Sequence, residues 1–207
     1  MPLIRKPSEP APPKPVETAE QAVAALASSA SDERWAAARR LATAPEAVEA
    51  LGRALATEQD ARVREAIFTS LARIGTPTSA AVVLDRLRSD DASARTGALD
   101  ALHAMPDAAA AHLPLLLQDA DPDVRLLATE LARELPAAEA TRLLCDVIET
   151  EALPNVCAAA VEVLAEVGGP AALPALQRCA ARFPAEAFLG FSIKIAAERI
   201  GSAPPHG

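Results

Sequence analysis

The feature that most constrains this chain of 207 residues is a segment that recurs about every 30 residues. The stretches DARVREAIFTSLARIG, DASARTGALDALHAMP and DPDVRLLATELARELP begin at Asp60, Asp91 and Asp121, which are 31 and 30 residues apart. Related stretches begin at Asp32, at Ala152 and, as a partial unit, near position 185. A fixed period of this length is typical of proteins that stack one structural unit on the next. The sequence therefore predicts an array of about five and a half units.

Each unit contains two apolar patterns with helical spacing. In the fourth unit Val124, Leu127, Leu131 and Leu135 recur at intervals of three and four residues, and Pro136 ends the run. A second run follows at Leu143, Leu144, Val147 and Ile148. Two helices with one apolar stripe each cannot enclose a core, but stacked pairs bury their stripes against each other.

The composition agrees with a helical array. Alanine is the commonest residue, aromatic residues make up only 2% of the chain, and tyrosine is absent. Alanine and leucine favour helices, whereas a sheet needs more β-branched and aromatic side chains. We therefore predict an all-α, right-handed α-solenoid over residues 18–201. A proline-rich tail at 1–17 and a short tail at 202–207 are expected to flank it.

The Asp-Pro-Asp motif that opens the fourth unit is typical of a helix start. Asp121 can accept hydrogen bonds from free backbone N–H groups, Pro122 suits the first turn, and Asp123 favours the positive end of the helix dipole. Asp119, Asp121 and Asp123 also alternate as calcium ligands do, but the middle of a calcium loop is missing, which favours helix capping.

Arginines recur at one position of the repeat and are expected to form a ladder along the stack. They are Arg64, Arg95 and Arg125, each near an acidic residue. We expect them to bond backbone carbonyls or carboxylates of the neighbouring unit. The corresponding residues in units one and five are interpreted as Ala36 and Cys157, as is typical near the ends of an array.

The segments DPDVRLLATELARELP and GGPAALPALQRCA resemble HEAT repeats, in particular the short type of phycobilisome-lyase-like proteins. The resemblance covers about residues 32–200. It implies a helical-hairpin solenoid that serves mostly as a binding platform. We therefore predict a non-enzymatic adaptor or scaffold that binds another protein or peptide. The alternative is an accessory or catalytic subunit of a lyase-like enzyme, of the phycobilin-lyase type.

Catalytic and metal-binding motifs do not emerge from the sequence. His103, His112 and His206 are followed by Ala, Leu and Gly, so the His-Glu pairs of HEAT-like di-iron hydroxylases are missing. No P-loop, Gly-x-Ser-x-Gly or His-Glu-x-x-His motif is present. We predict no catalytic residues, no metal and no cofactor. The sequence favours a protein that is not an enzyme, without deciding it.

Charge and cysteine content limit the classes of partner and the cellular compartment that we expect. A net charge of −8 disfavours binding to nucleic acid or to an anionic membrane. Cys145, Cys157 and Cys179 are widely spaced, which favours free core thiols in a reducing compartment. No stretch is apolar for long enough to cross a membrane. We expect a cytoplasmic protein of bacterial type, with an undetermined oligomeric state.

In HEAT arrays the second helices line the concave face, and their polar residues are the predicted partner-binding site. His112 and Gln118 fall on this face in unit three. Trp35 is expected to pack on the first helix, although it would anchor a partner if exposed. Whether the Phe-rich last half-unit is a cap or an interface stays open. The predicted binding residues are Arg53, Arg86, Arg142, Asp146, Glu149 and Arg178.

Overall fold

The computed structural model describes residues 18–202, which form helices in sequence and contain no strand. The chain starts with α1 (Ala19–Ala25), continues through five units of paired helices, and ends with α13 (Ala187–Ser202). The first helices of the units are α2 (Ser31–Arg40), α4 (Ala61–Ile74), α6 (Ala92–His103), α9 (Pro122–Leu131) and α11 (Pro154–Val167). The second helices are α3 (Val48–Thr57), α5 (Pro77–Leu84), the broken pair α7 (Pro106–Ala110) and α8 (Leu113–Leu116), α10 (Ala137–Thr150) and α12 (Leu173–Arg182).

Short 3₁₀ segments join or extend these helices. They are Leu41–Thr43, Pro45–Ala47, Asp85–Arg88, Ala132–Glu134 and Pro170–Ala172. The predicted 1–17 tail lies outside the described residues. The predicted C-terminal tail lies outside them too, apart from Ser202, which ends α13. None of the helices described is long and apolar enough to span a bilayer.

The core is one continuous apolar layer between the stacked helices. In unit four Val124, Leu131, Leu144 and Ile148 are buried, as their spacing predicts. Along the array α2 packs on α4, α4 on α6, α9 on α11 and α11 on α13, so each unit completes the core of its neighbour. The helical array predicted from the repeat is confirmed.

The aspartates before the first helices are N-caps. The Asp121 carboxylate accepts the backbone N–H of Asp123 at 2.9 Å, and Pro122 occupies the first turn. Asp60 and Asp91 cap α4 and α6 in the same way. No group of His, Cys, Asp and Glu side chains in residues 18–202 could hold a metal ion. Helix capping therefore explains the alternating aspartates.

The loop before each first helix begins with a side chain two residues ahead of the N-cap of that helix. Its oxygen accepts the backbone N–H two residues further on, in every unit. This hydrogen bond turns the chain from one unit into the next. The residues that accept it are Ser28, Glu58, Ser89, Asp119 and Glu151.

An arginine follows six residues after this loop residue in four of the units. Arg125 donates to the Asp119 carbonyl at 2.7 Å and forms a two-point ion pair with Glu151, with N–O distances of 2.6 and 3.1 Å. Arg64 bonds the loop carbonyl of Gln59 at 3.3 Å. The predicted arginine ladder therefore exists, and each arginine closes its own loop.

The prediction that Ala36 takes the arginine position in unit one is wrong. Arg34 takes it, because its guanidinium donates to the Ser28 carbonyl at 3.0 Å and pairs with Glu58 at 2.7 Å. The repeat pattern puts Asp32 at the cap position of unit one, but the N-cap of α2 is Ala30, two residues earlier.

In unit five Cys157 does take the arginine position, as predicted. Its thiol donates to the Glu151 carbonyl at 3.8 Å. Arg182, at the end of α12, reaches back to the same loop and donates to the carbonyls of Ile148, at 2.7 Å, and Glu151. A residue from the next helix thus supplies the positive charge that unit five lacks at this position.

Unit three departs most from the regular pattern. Its second helix is broken between α7 and α8, where Pro114 removes a backbone donor. His112 was expected to be a surface or lining residue, but it is half-buried, and its Nε2 is enclosed with no hydrogen-bond partner among the residues described. Leu115, on α8, is 76% exposed.

Candidate protein-binding face

The predicted binding residues lie on the second helices, and we call the exposed side of these helices the second-helix face. Arg53 lies on α3, and Arg86 lies in the 3₁₀ segment that extends α5. Arg142, Asp146 and Glu149 lie on α10, and Arg178 lies on α12.

The apolar pattern of α10 explains why its charged residues face outwards. Leu143, Leu144, Val147 and Ile148 bury one side of the helix. Because positions three and four apart share one side of a helix, Arg142, Asp146 and Glu149 fall together on the opposite side. The sequence therefore places these three side chains on one exposed stripe.

The structure brings four of the six predicted residues into one patch across α10 and α12. Arg142 Nη1 lies 3.7 Å from Asp146 Oδ2, and the Arg178 guanidinium on α12 contacts the Glu149 carboxylate on α10. Arg142 and Asp146 side chains are 62% and 71% exposed. These pairs add little to stability, since exposed ion pairs contribute about 0–1 kcal/mol.

The other two predicted residues are separate from this patch. The Arg53 side chain is 72% exposed, and its Nη1 lies 3.8 Å from Glu49 Oε2 on the same helix. Arg86 is half-buried. No ion pair among residues 18–202 links either arginine to the α10–α12 patch.

The second helix of unit three is broken, so the exposed stripe of charged residues seen on α10 does not continue regularly through unit three. Gln118 follows α8, and its side-chain amide donates to the Pro114 carbonyl at 3.2 Å. Leu115 is the large apolar side chain exposed there. Sequence reasoning missed Leu115, although the proline inside LPLLL signals that the helix stripe changes direction at this point.

Cys145 lies half-buried beside the patch. Burial, together with the carboxylates of Glu149 and Asp146, raises the pKa of the Cys145 thiol. A thiol with a raised pKa is a weak nucleophile at neutral pH. The exposed polar groups of this patch are therefore its charged side chains.

Two grooves lie on the opposite side, between first helices, and the sequence analysis did not find them. The larger, of about 810 Å³, runs between α4 and α6 over Phe68. Gly97 lets the Phe68 ring pack closely against α6, since a β-carbon there would lie 2.8 Å from the ring. The second, of about 580 Å³, lies between α9, α11 and α13. Grooves of this kind depend on side chains from several units, so a single-unit pattern does not reveal them.

Some aromatic side chains pack against the core, and others are exposed to solvent. Trp35 is half-buried against the core, as predicted, with the guanidinium groups of Arg39 and Arg62 4.6 and 4.4 Å from its ring centre. At the C-terminal end Phe183 packs partly on the core. Phe188 and Phe191 are 66% and 64% exposed.

Stacked helical pairs with a recurring loop define this chain as an α-solenoid. The family model described as HEAT repeats matches residues 19–103 and 109–186. The chain belongs to the HEAT repeat family, as its sequence predicts.

Similar solved structures include natural and designed repeat proteins. The complex of CpcE and CpcF of phycocyanin lyase from Nostoc sp. PCC7120 is 23% identical, with a TM-score of 0.48, and the match covers 86% of this chain and 74% of that one. A computationally designed armadillo repeat protein for modular peptide recognition is 18% identical, with a TM-score of 0.46, over 88% of this chain and all of that one. No curated protein matches the chain.

Proposed function

We propose that this HEAT-repeat chain is a non-enzymatic adaptor that binds another protein or a peptide along its second-helix face. The observation that supports this most is the α10–α12 patch, whose charges are exposed and are not needed to hold the array together. Arg125 and Arg34, which do hold loops, are 17% and 19% exposed, whereas Arg142 and Arg178 are 62% and 60% exposed.

The chemistry of the patch suggests how a partner is recognised. Arg142 and Arg178 each lie beside a carboxylate, so both signs of charge alternate over a short distance. A partner with the opposite alternation would exchange these weak internal pairs for pairs across the interface. Arg53 and Arg86 would extend the contact towards the N-terminal units. The proposal places this adaptor in a bacterial cytoplasm, in line with its three free cysteines.

The test compares two variants with matched charge. The first changes Arg53, Arg142 and Arg178 to Glu on the second-helix face. The control changes Arg73 of α4 and Lys194 and Arg199 of α13 to Glu, all of which are exposed and lie outside the second-helix face. We expect the wild type and the control to recover the same protein from native lysate, and the first variant to lose it. Titration calorimetry with the purified partner should then show binding that is weaker by about tenfold or more.

Equal affinity of the two variants for the purified partner would place the site elsewhere and contradict the proposal. The lyase-type alternative predicts a different result. Protein purified from its native host would then carry a chromophore that absorbs visible light, or would act on one in a two-subunit mixture. A colourless preparation with a stoichiometric protein partner supports the adaptor.

A further inference from the structure

The groove between α9, α11 and α13 combines an apolar floor with an acidic rim. Leu126 of α9 and Leu189 of α13 contribute to the floor, and Phe188 stands beside them. Glu130, Glu162 and Glu186 line the rim. We call this surface, defined by those six residues, the acidic groove. It lies on first helices, and the second-helix face does not contribute to it.

Phe188 of the acidic groove belongs to an exposed apolar stripe on α13, the last helix described. In earlier units a first helix packs against the next first helix, as α11 packs against α13. On α13 the side chains of Phe188 and Phe191 are three residues apart and exposed, and Ile195 follows half-buried one turn later. This stripe has the spacing of an apolar helix face. End units of a repeat array normally carry a polar outer face.

The carboxylates of the acidic groove are not neutralised as those of the second-helix face are. Glu162 and Glu186 form no ion pair with any residue in the range 18–202. Glu130 lies 3.0 Å from Arg133, but that arginine also contacts Glu166. No Lys, Arg or His lines the groove among the residues described. An apolar floor with unneutralised carboxylates is complementary to an apolar side chain flanked by cations.

We propose that the acidic groove docks a basic amphipathic helix of a partner protein. An apolar side chain of that helix contacts Leu126, Phe188 and Leu189. Lysines or arginines on either side of it pair with Glu162 and Glu186. A helix suits this surface because it satisfies its own backbone hydrogen bonds and can present one apolar face with cations on either side.

A second copy of this chain is a poorer occupant on charge grounds. The chain carries a net charge of −8. In a symmetric dimer through this surface, the carboxylates of Glu162 and Glu186 would face their own counterparts, and like charges in contact oppose association. The surface thus selects a basic partner over self-association.

The test uses a dye-labelled synthetic helix of about 18 residues made of Leu, Lys and Ala, with leucines at helical spacing on one side. Fluorescence anisotropy measures its binding to the full chain. We expect saturable binding that weakens as salt is added, since part of the attraction is between charges. A scrambled peptide with the same composition, in which the leucines no longer share one side, should bind more weakly.

Two variants test the groove residues. Glu162→Gln with Glu186→Gln removes the unneutralised charges, and Phe188→Ser removes an exposed apolar contact. Each should weaken peptide binding by about tenfold. The matched control is Glu46→Gln with Glu139→Gln, which removes the same charge at exposed positions outside the groove. All the changed residues are exposed, so unchanged circular dichroism and melting are expected.

Three outcomes would overturn the proposal. They are no binding of the helical peptide to the wild type, equal weakening by the control pair, and wild-type self-association that Phe188→Ser abolishes. The last would identify a second copy as the occupant. The variant with Arg53, Arg142 and Arg178 changed to Glu should keep its peptide affinity, so this inference and the adaptor proposal can fail separately.

Discussion

Units four and five fill the same position of the repeat in different ways. In unit four Arg125 joins the Asp119 carbonyl to the Glu151 carboxylate, and both members of the ion pair are largely shielded from water. In unit five the small thiol of Cys157 replaces the guanidinium, and Arg182 of the following helix bonds the loop from outside. One unit therefore holds its loop by a side chain of its first helix, and the other by a side chain at the end of its second helix.

The comparison shows why the arginine position is not equally important in every unit. Burial raises the pKa of the Glu151 carboxyl, but hydrogen bonds from Arg125 and from the backbone N–H of Leu153 outweigh it, so the net pKa is lowered. For Glu58 the hydrogen bond with Arg34 is the main cause of a lowered pKa. The contribution of this position to stability therefore depends more on whether a buried carboxylate pairs with the arginine than on the arginine itself.

The largest effect is expected for Arg125→Ala. It leaves the Glu151 carboxylate, whose side chain is 6% exposed, without its cation. Removing one member of a fully buried pair costs about 3–5 kcal/mol, and the 17% exposure of Arg125 reduces our expectation to about 2–3 kcal/mol. Urea unfolding followed by circular dichroism measures it. Arg73→Ala, at an exposed position, is the control, and equal stability of the two variants would contradict the comparison.

A smaller effect is expected for Arg182→Ala. The carbonyls of Ile148 and Glu151 lose a charged donor, which costs about 1–2 kcal/mol when an acceptor is partly buried. The double variant with Arg125→Ala sharpens the comparison, because both arginines bond the loop at Glu151. We expect the two losses to be non-additive in urea unfolding. Strict additivity would mean that the two arginines hold the loop independently.

Arg95→Ala should cost less, about 1 kcal/mol or below. Arg95 donates to the Ser89 carbonyl at 2.6 Å, but unlike Arg34 and Arg125 it forms no ion pair with any residue in the range 18–202. No buried charge is left behind when Arg95 is removed. The same unfolding measurement checks this, and a loss as large as that of Arg125→Ala would show that the carbonyl bond, and not the carboxylate, gives the position its strength.

The smallest effect is expected in the dependence of stability on acid pH. Because the pKa values of Glu58 and Glu151 are lowered in the folded chain, their stabilisation is complete above the ordinary carboxyl pKa of about 4.3 and is lost as the pH falls through the folded values. We expect the free energy of unfolding to fall below about pH 4.5, and to fall less steeply in Glu151→Gln. Parallel slopes for the wild type and Glu151→Gln would exclude Glu151 as a source of the acid sensitivity.

The predictions from sequence succeeded where the interactions are local. Asp121 caps the helix that it precedes, and Leu144 and Ile148 are buried as their spacing requires. The same spacing put Arg142, Asp146 and Glu149 on one exposed stripe. These features depend on residues within about two helical turns, whose relative positions the helix geometry fixes.

The predictions failed or stopped where the interaction crosses units. Arg34 pairs with Glu58, 24 residues away, and Arg125 pairs with Glu151, 26 residues away. The partner depends on how each loop turns, and a count from the wrong aspartate gave Ala36 instead of Arg34. The contact between Arg178 and Glu149 likewise depends on how α12 rests on α10.

The sequence by itself determined the repeat, the helical pairs, the aspartate caps of α4, α6 and α9, and the side chains that point away from the core. Only the tertiary structure decided that Arg182 substitutes for the missing arginine of unit five, and that Glu162, Glu186 and Phe188 share one groove. The physical reason is that apolar periodicity sets the direction of a side chain on its own helix. The distance between side chains of different helices is set by the packing of whole units.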